Sequence, residues 1–187
     1  VSGISYIESF DTEEFDVKIA GEVKDFDESK YFDRKQAKRL DRFAQFAVAG
    51  SLMAVEDAKL EINDDNADEI GVLVGSGIGG MKTFQDQAKR LAKRGPRRIS
   101  PFFIPMMISN MASGQISIYT GAKGPNSNAV TACASATTAI GDAAEIIKRG
   151  DAKIMIAGGS EAAITELSIA GFSNMKALST RNDEPTK

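Results

Sequence analysis

A strand, a helix and a second strand succeed one another between Asn128 and Ala157, and few folds accommodate that order. Asn128-Ala-Val-Thr-Ala132 reads as a short buried strand. From Ala134 to Arg149, Ala136, Ile140, Ala143, Ala144 and Ile147 recur at helical spacing, and Lys148-Arg149-Gly150 supplies a basic last turn with a glycine just beyond it. Lys153-Ile-Met-Ile-Ala157 is again a buried-strand pattern. Two strands bridged by a helix run parallel in one sheet, so the expected class is α/β with a largely parallel sheet. Ile70-Gly-Val-Leu-Val74 adds a further buried strand, which runs into Gly75-Ser-Gly-Ile-Gly-Gly80 and then a helical pattern from Met81 to Lys93.

The turn from the first of these strands into its helix is Thr131-Ala-Cys-Ala-Ser-Ala-Thr137, which holds the only cysteine of the chain. At such a turn the unpaired N–H groups and the positive end of the helix dipole favour negative charge on sulfur, and the thiol stands at the C-terminal edge of the sheet. A lone cysteine is equally well a small buried hydrophobe, and spacing alone leaves both readings open. One cysteine excludes an internal disulfide framework, and with no histidine in 187 residues the usual zinc constellations are absent as well. No apolar run reaches the roughly 20 residues of a membrane span, and the N-terminus lacks the regions of a signal peptide. A hydrophobic share of 42% supports one substantial core, either a single domain or part of a larger one.

The remaining stretches are read in order. Residues 1–32 have the pattern of an acidic surface loop with at most a brief strand at Val17 to Val23. Asp33 to Leu60 suits one long amphipathic helix capped by Asp33, and Lys35, Lys38, Arg39 and Arg42 form a basic stripe at its start. Gly75, Gly77 and Gly80 match a dinucleotide fingerprint, but the region that should supply its acidic residue is Gly95-Pro-Arg-Arg-Ile-Ser100, basic and turn-like. Glycines that let backbone approach closely, or a ligand pass, are the better reading. Lys93-Arg-Gly-Pro-Arg-Arg98 is a second basic cluster, too short and too poor in aromatics for a nucleic-acid surface. Met106 to Tyr119 is methionine-rich and helical, with a break expected at Gly114, and suits core or subunit interface. Ser160 and Glu161 fall at a C-terminal strand edge, where sites in open α/β sheets collect.

Taken together, GSGIGG (75–80), GPRRISPFFIP (95–105), NMASGQIS (110–117), TACASAT (131–137), GDAKIMIAGGSEA (150–162, with Ala152 and Lys153 in its middle) and ALSTRND (177–183) resemble the N-terminal half of the β-ketoacyl-[acyl-carrier-protein] synthases, on the type II side that elongates bacterial fatty acids. The resemblance runs over nearly the whole chain. It implies a thiolase-like, layered αβαβα fold, assembled as a homodimer in the cytoplasm, with no cofactor, no metal, and neither nucleic acid nor membrane as partner. By the same resemblance Cys133 takes an acyl chain from acyl carrier protein as a thioester, and malonyl-acyl-carrier-protein then condenses with it by decarboxylative Claisen chemistry. Its backbone N–H is one donor to the developing oxyanion. Ile78, Phe103 and Phe172 match positions that shape the acyl pocket, Phe103 from the other subunit. Lys35, Arg39, Arg97, Arg98 and Lys176 match basic positions that face the acidic carrier protein.

The departure from the family matters as much. Its two histidines, a lysine and a glycine-rich loop belong to the C-terminal half, and this chain contains no histidine. Residues 1–187 therefore read as an incomplete N-terminal synthase domain, lacking that half and the family's opening strand, and unable to condense alone. A thiolase or a polyketide-type ketosynthase shares the cysteine turn, whereas a chain-length factor lacks the cysteine. The reading from another class is a non-catalytic dimerisation or carrier-protein-binding fragment.

Overall fold

The computed structural model describes residues 2–186. Glu28–Ala162 form one compact unit, and the residues up to Asp27 together with those from Ala163 onward form another. No described helix is long and apolar enough to cross a membrane.

The larger unit is built on β3 (Ile70–Gly75), a strand buried along its whole length. Its apolar run has no alternation because both faces are covered. β4 (Asn126–Ser127) and β5 (Ile154–Gly159) pair with it in parallel on either side, in the order β4-β3-β5. Side chains alternate along a strand. One face of β3 carries Leu73, which packs with Ala129 and with Ala139 and Ala143 of α6 (Ser135–Arg149). α5 (Met111–Thr120) also lies against β3, with α2 (Arg42–Asp57) packed on α5. The buried Ser113 hydroxyl of α5 accepts the Val74 N–H at 2.9 Å, tying helix to strand. The parallel α/β sheet expected from the sequence is present.

Several boundaries differ from the sequence reading, each for a local reason. The single helix expected over 33–60 is two. Asp33 does cap a helix, with a full capping box, but that helix is only α1 (Arg34–Ala37). Asp41 then caps α2, accepting the Phe43 N–H, so the chain turns between the two caps and the basic stripe is divided. No strand forms over 128–132: the pairing with β3 covers only 126–127, and at the next residue the Asn128 side chain, rather than a backbone group, donates to the Val74 carbonyl at 2.8 Å. β5 lies where expected but is partly exposed rather than buried, as it pairs on one side only among the described residues. The methionine-rich stretch breaks before Met111 rather than at Gly114. It divides into α4 (Phe103–Met107) and α5, and Gly114 continues the helix by donating to Asn110 O. α6 turns the stripe Ser135, Ala139, Ala143 inward and leaves Ile140 and Ile147 at 56% and 43% exposure.

In the smaller unit, β1 (Ile4–Tyr6) pairs antiparallel with β2 (Ile19–Gly21), the second of which the sequence anticipates. Ile7, Val17 and Ile169 form its core with Phe10, Phe15 and Leu178 around them. Ile169 belongs to α7 (Glu166–Asn174), which Thr165 caps. The Asn182 amide accepts the Lys18 N–H and donates to Asp16 O, both at 2.9 Å, and so closes the unit.

Candidate active site

Three parallel strands bring three chain segments to one edge of the sheet. β3 delivers the glycine loop 76–80, β5 delivers Ser160 and Glu161, and β4 leads through 128–131 into the cysteine turn. Glycines set how closely these segments meet. A Cβ on Gly75 would collide with the Ser135 carbonyl, and one on Gly159 would collide with Ala136. The start of α6 is therefore pressed onto the strand ends, as only glycine permits.

The cysteine turn is a strained elbow. Ala132 has φ of +50°, in the left-handed region that costs a non-glycine residue roughly 1 kcal/mol or more. A single turn of 3-10 helix, Ala132–Ala134, follows and runs directly into α6. Ser135 holds the elbow in place. Its buried hydroxyl accepts the Thr131 N–H at 3.0 Å and donates to the Ala132 carbonyl at 2.7 Å. A second clasp joins the Thr131 and Thr138 hydroxyls at 2.8 Å. Cys133, at the apex, is a free and exposed thiol.

Opposite the elbow, the glycine loop closes around a carboxylate of its own chain. Glu161 accepts the Gly77 N–H at 2.7 Å, the Ile78 N–H at 3.3 Å and the Ser76 hydroxyl at 3.2 Å. Ser76 in turn accepts the Gly79 N–H at 3.1 Å. The donors that a dinucleotide phosphate would need are engaged by Glu161, and close backbone approach is what the glycines do. Gly80 donates to Met107 O at 3.0 Å, and a Cβ on Gly79 would stand 2.7 Å from that same carbonyl.

Of the residues singled out in the sequence, Cys133 and Ile78 come to the same sheet edge, and Ile78 is half-buried. Phe103, half-buried, opens α4, whose last carbonyl holds the glycine loop. The Arg39 guanidinium stacks 4.4 Å from the Phe102 ring centre, which brings the first basic cluster against the segment that follows Arg97 and Arg98. Those two arginines are exposed on a one-turn 3-10 helix, and Lys35 is exposed in α1. Phe172 lies half-buried on α7, and exposed Lys176 follows it with φ of +60°, both in the smaller unit. Ser135 and Asn128, which shape the elbow and its approach, were not singled out. The one signal for Ser135 is a hydroxyl two residues beyond the cysteine at a helix start. Among the described residues no group of three or more His, Cys, Asp and Glu side chains is placed to hold a metal ion.

The site is thus a parallel α/β sheet with an exposed thiol carried on a strand-to-helix elbow at its edge. The sequence pattern described as "Beta-ketoacyl synthase, N-terminal domain" matches residues 1–187, and the chain belongs to that family. It is 55% identical over 186 residues to the 3-oxoacyl-[acyl-carrier-protein] synthase 2 of Staphylococcus aureus (strain N315), covering 100% of this chain and 45% of that protein. The chain thus spans about half the length of the curated relatives it matches. Its fold is that of a β-ketoacyl synthase from Burkholderia phymatum STM815, with a TM-score of 0.82 at 26% identity over 98% of this chain and 45% of the other. A ketosynthase solved in complex with a type II polyketide acyl-carrier protein gives a TM-score of 0.77 at 25% identity, over 82% and 44% of the two chains. The α/β arrangement is therefore the thiolase-like one of ketosynthases, represented by its N-terminal half.

Proposed function

We propose that this chain carries the nucleophile of a 3-oxoacyl-[acyl-carrier-protein] synthase of fatty-acid elongation. The supporting observation is the elbow: a free, exposed thiol held by a strained residue at the start of a helix. In the proposed reaction the Cys133 thiolate attacks the acyl thioester of a carrier protein, forms a new thioester and expels the carrier's thiol. A malonyl-carrier then loses carbon dioxide, and the electron pair of the broken bond attacks the Cys133 thioester. The products are a 3-oxoacyl-carrier and the regenerated cysteine. The first N–H groups of a helix have no intrahelical partner, so the Cys133 N–H at the head of α6 is suited to the developing oxyanion.

Ile78, Phe103 and Phe172 are assigned to the acyl pocket, and Lys35, Arg39, Arg97, Arg98 and Lys176 to the carrier protein. Exposure of Lys35, Arg39, Arg97, Arg98 and Lys176 and the contact between Arg39 and Phe102 support the second assignment. A homodimer fits the outward face of α3 (Met81–Arg94), where Phe84 and Leu91 are exposed one heptad apart. The setting proposed is the cytoplasm. Because the chain has no histidine, it is proposed to be catalytically incomplete by itself. The test is 3-oxoacyl formation by the complete protein from acyl- and malonyl-carrier proteins. Cys133→Ala should lower the rate at least about 10³-fold. Undiminished product formation by that variant would overturn the proposal.

A further inference from the structure

We infer that Glu161 is a positioning residue for the acyl chain: its carboxylate fixes the glycine loop and thereby sets where Ile78 stands relative to Cys133. The inference rests on the proposed function for the identity of the acyl group. Each of residues 76–79 is bonded to this one side chain, directly or through Ser76. Gly77, Ile78 and Ser76 donate to it directly, and Gly79 donates to the Ser76 hydroxyl that it orients. Its hydrogen-bond partners among the described residues are all loop donors. Successive N–H groups in such a turn form a seat for an anion, and bonds to an ionised acceptor are stronger than neutral ones.

The base from which Glu161 reaches is itself rigid. The preceding Ser160 donates its N–H to Gly75 O at 3.0 Å and its hydroxyl to Phe43 O at 2.7 Å, which locks the end of β5 to β3 and to α2. At Gly77 a Cβ would stand 3.0 Å from the Glu161 carboxylate and 3.2 Å from the Ala132 carbonyl. Carboxylate, loop and elbow thus meet at one point. Moving the loop moves the apolar side chain of Ile78 while the cysteine stays on its own elbow, so loss of Glu161 should change which acyl chains are accepted more than it changes the thiol.

The test uses the complete protein and compares rates of Cys133 acylation by hexadecanoyl- and octanoyl-carrier proteins, beside the rate of Cys133 alkylation by iodoacetamide. Glu161→Ala should shift the ratio of the two acylation rates by about tenfold or more and leave alkylation within about twofold. Glu161→Gln, which keeps an acceptor oxygen for the Gly77 and Ile78 N–H groups, should return most of the wild-type ratio. An unchanged ratio in Glu161→Ala, or a shift as large in Glu161→Gln, would overturn the inference. Should the alanine variant not fold, Glu161→Asp, whose carboxylate falls short of the loop by one methylene, carries the same comparison with the same two outcomes. If wild-type Cys133 accepts neither acyl group, the proposed function fails. The positioning role is then read separately from hydrogen exchange over residues 76–79, which should quicken about tenfold or more in Glu161→Ala and would refute the role if unchanged.

Discussion

At Ala132 the chain accepts a left-handed backbone that an alanine resists, and Ser135 supplies the two hydrogen bonds that hold it there. Replacing Ser135 by alanine leaves the Thr131 N–H without its acceptor and removes one donor from the Ala132 carbonyl. The expected cost is about 1–3 kcal/mol of stability, seen as a lower urea midpoint. The elbow should then relax, so that acylation of Cys133 slows about tenfold or more, since misplacement of a reacting atom by an ångström is that costly. Acylation at the wild-type rate would mean that the strain has no part in presenting the thiol. The place of Cys133 at a turn into a helix was legible from the helical period that begins beyond it, whereas spacing left open whether the thiol is buried, and the structure shows it exposed. The strain was not legible, because alanine on paper favours a helix and only the backbone reveals its positive φ. The glycines were legible as close approaches, but the carboxylate that meets Gly77 comes from 84 positions further along and no local pattern announces it.

Among the elements, the turn at 38–41 shows how one side chain organises two helices. Asp41, only 3% exposed, accepts the Phe43 N–H at 3.2 Å in the first turn of α2 and the Thr83 N–H at 2.9 Å in the first turn of α3. α3 has no cap of its own, since Gly80 offers no side chain. Asp41→Ala should therefore cost about twice an ordinary cap, roughly 2–4 kcal/mol. Asp41→Asn, with a single acceptor oxygen, should lose about half of that. Equal and small losses in urea titrations of the two variants would show that the caps act as solvent-exposed caps do. The helical period was legible from Asp33 to Leu60 and hid the break, because no glycine or proline marks it and Asp41 reads as one more polar position. β3 was legible along its full length, as a strand covered on both faces has no alternation to misread. β4 was not, since its pairing covers only 126–127, ahead of the pattern at 128–132, and an asparagine side chain rather than a backbone group makes the next bond to β3.

For the whole molecule, the order of strands and helices was enough to define a parallel α/β sheet and to put the cysteine at its edge. Which surface covers each helix was not contained in that order. Ile140 and Ile147 lie on the stripe that periodicity marks as apolar, yet α6 presents its neighbouring stripe of serine and alanine to the sheet, where small residues permit the closer packing. The same holds for α3, which buries Thr83, Gln85 and Gln87 and leaves Phe84 and Leu91 outward. Periodicity locates a face; the contour of the neighbour decides whether that face is the one buried. Arg39 illustrates this as well, since its guanidinium lies over the Phe102 ring, a contact between segments separate in sequence. The central claim is that the thiol on the elbow accepts an acyl group, and a peptide-resolved mass spectrum of the complete protein after incubation with hexadecanoyl-carrier protein tests it most directly. One hexadecanoyl group on the peptide containing Cys133, absent after iodoacetamide treatment and absent in Cys133→Ala, is the result expected. No acyl gain, or a gain that survives loss of Cys133, would contradict the account.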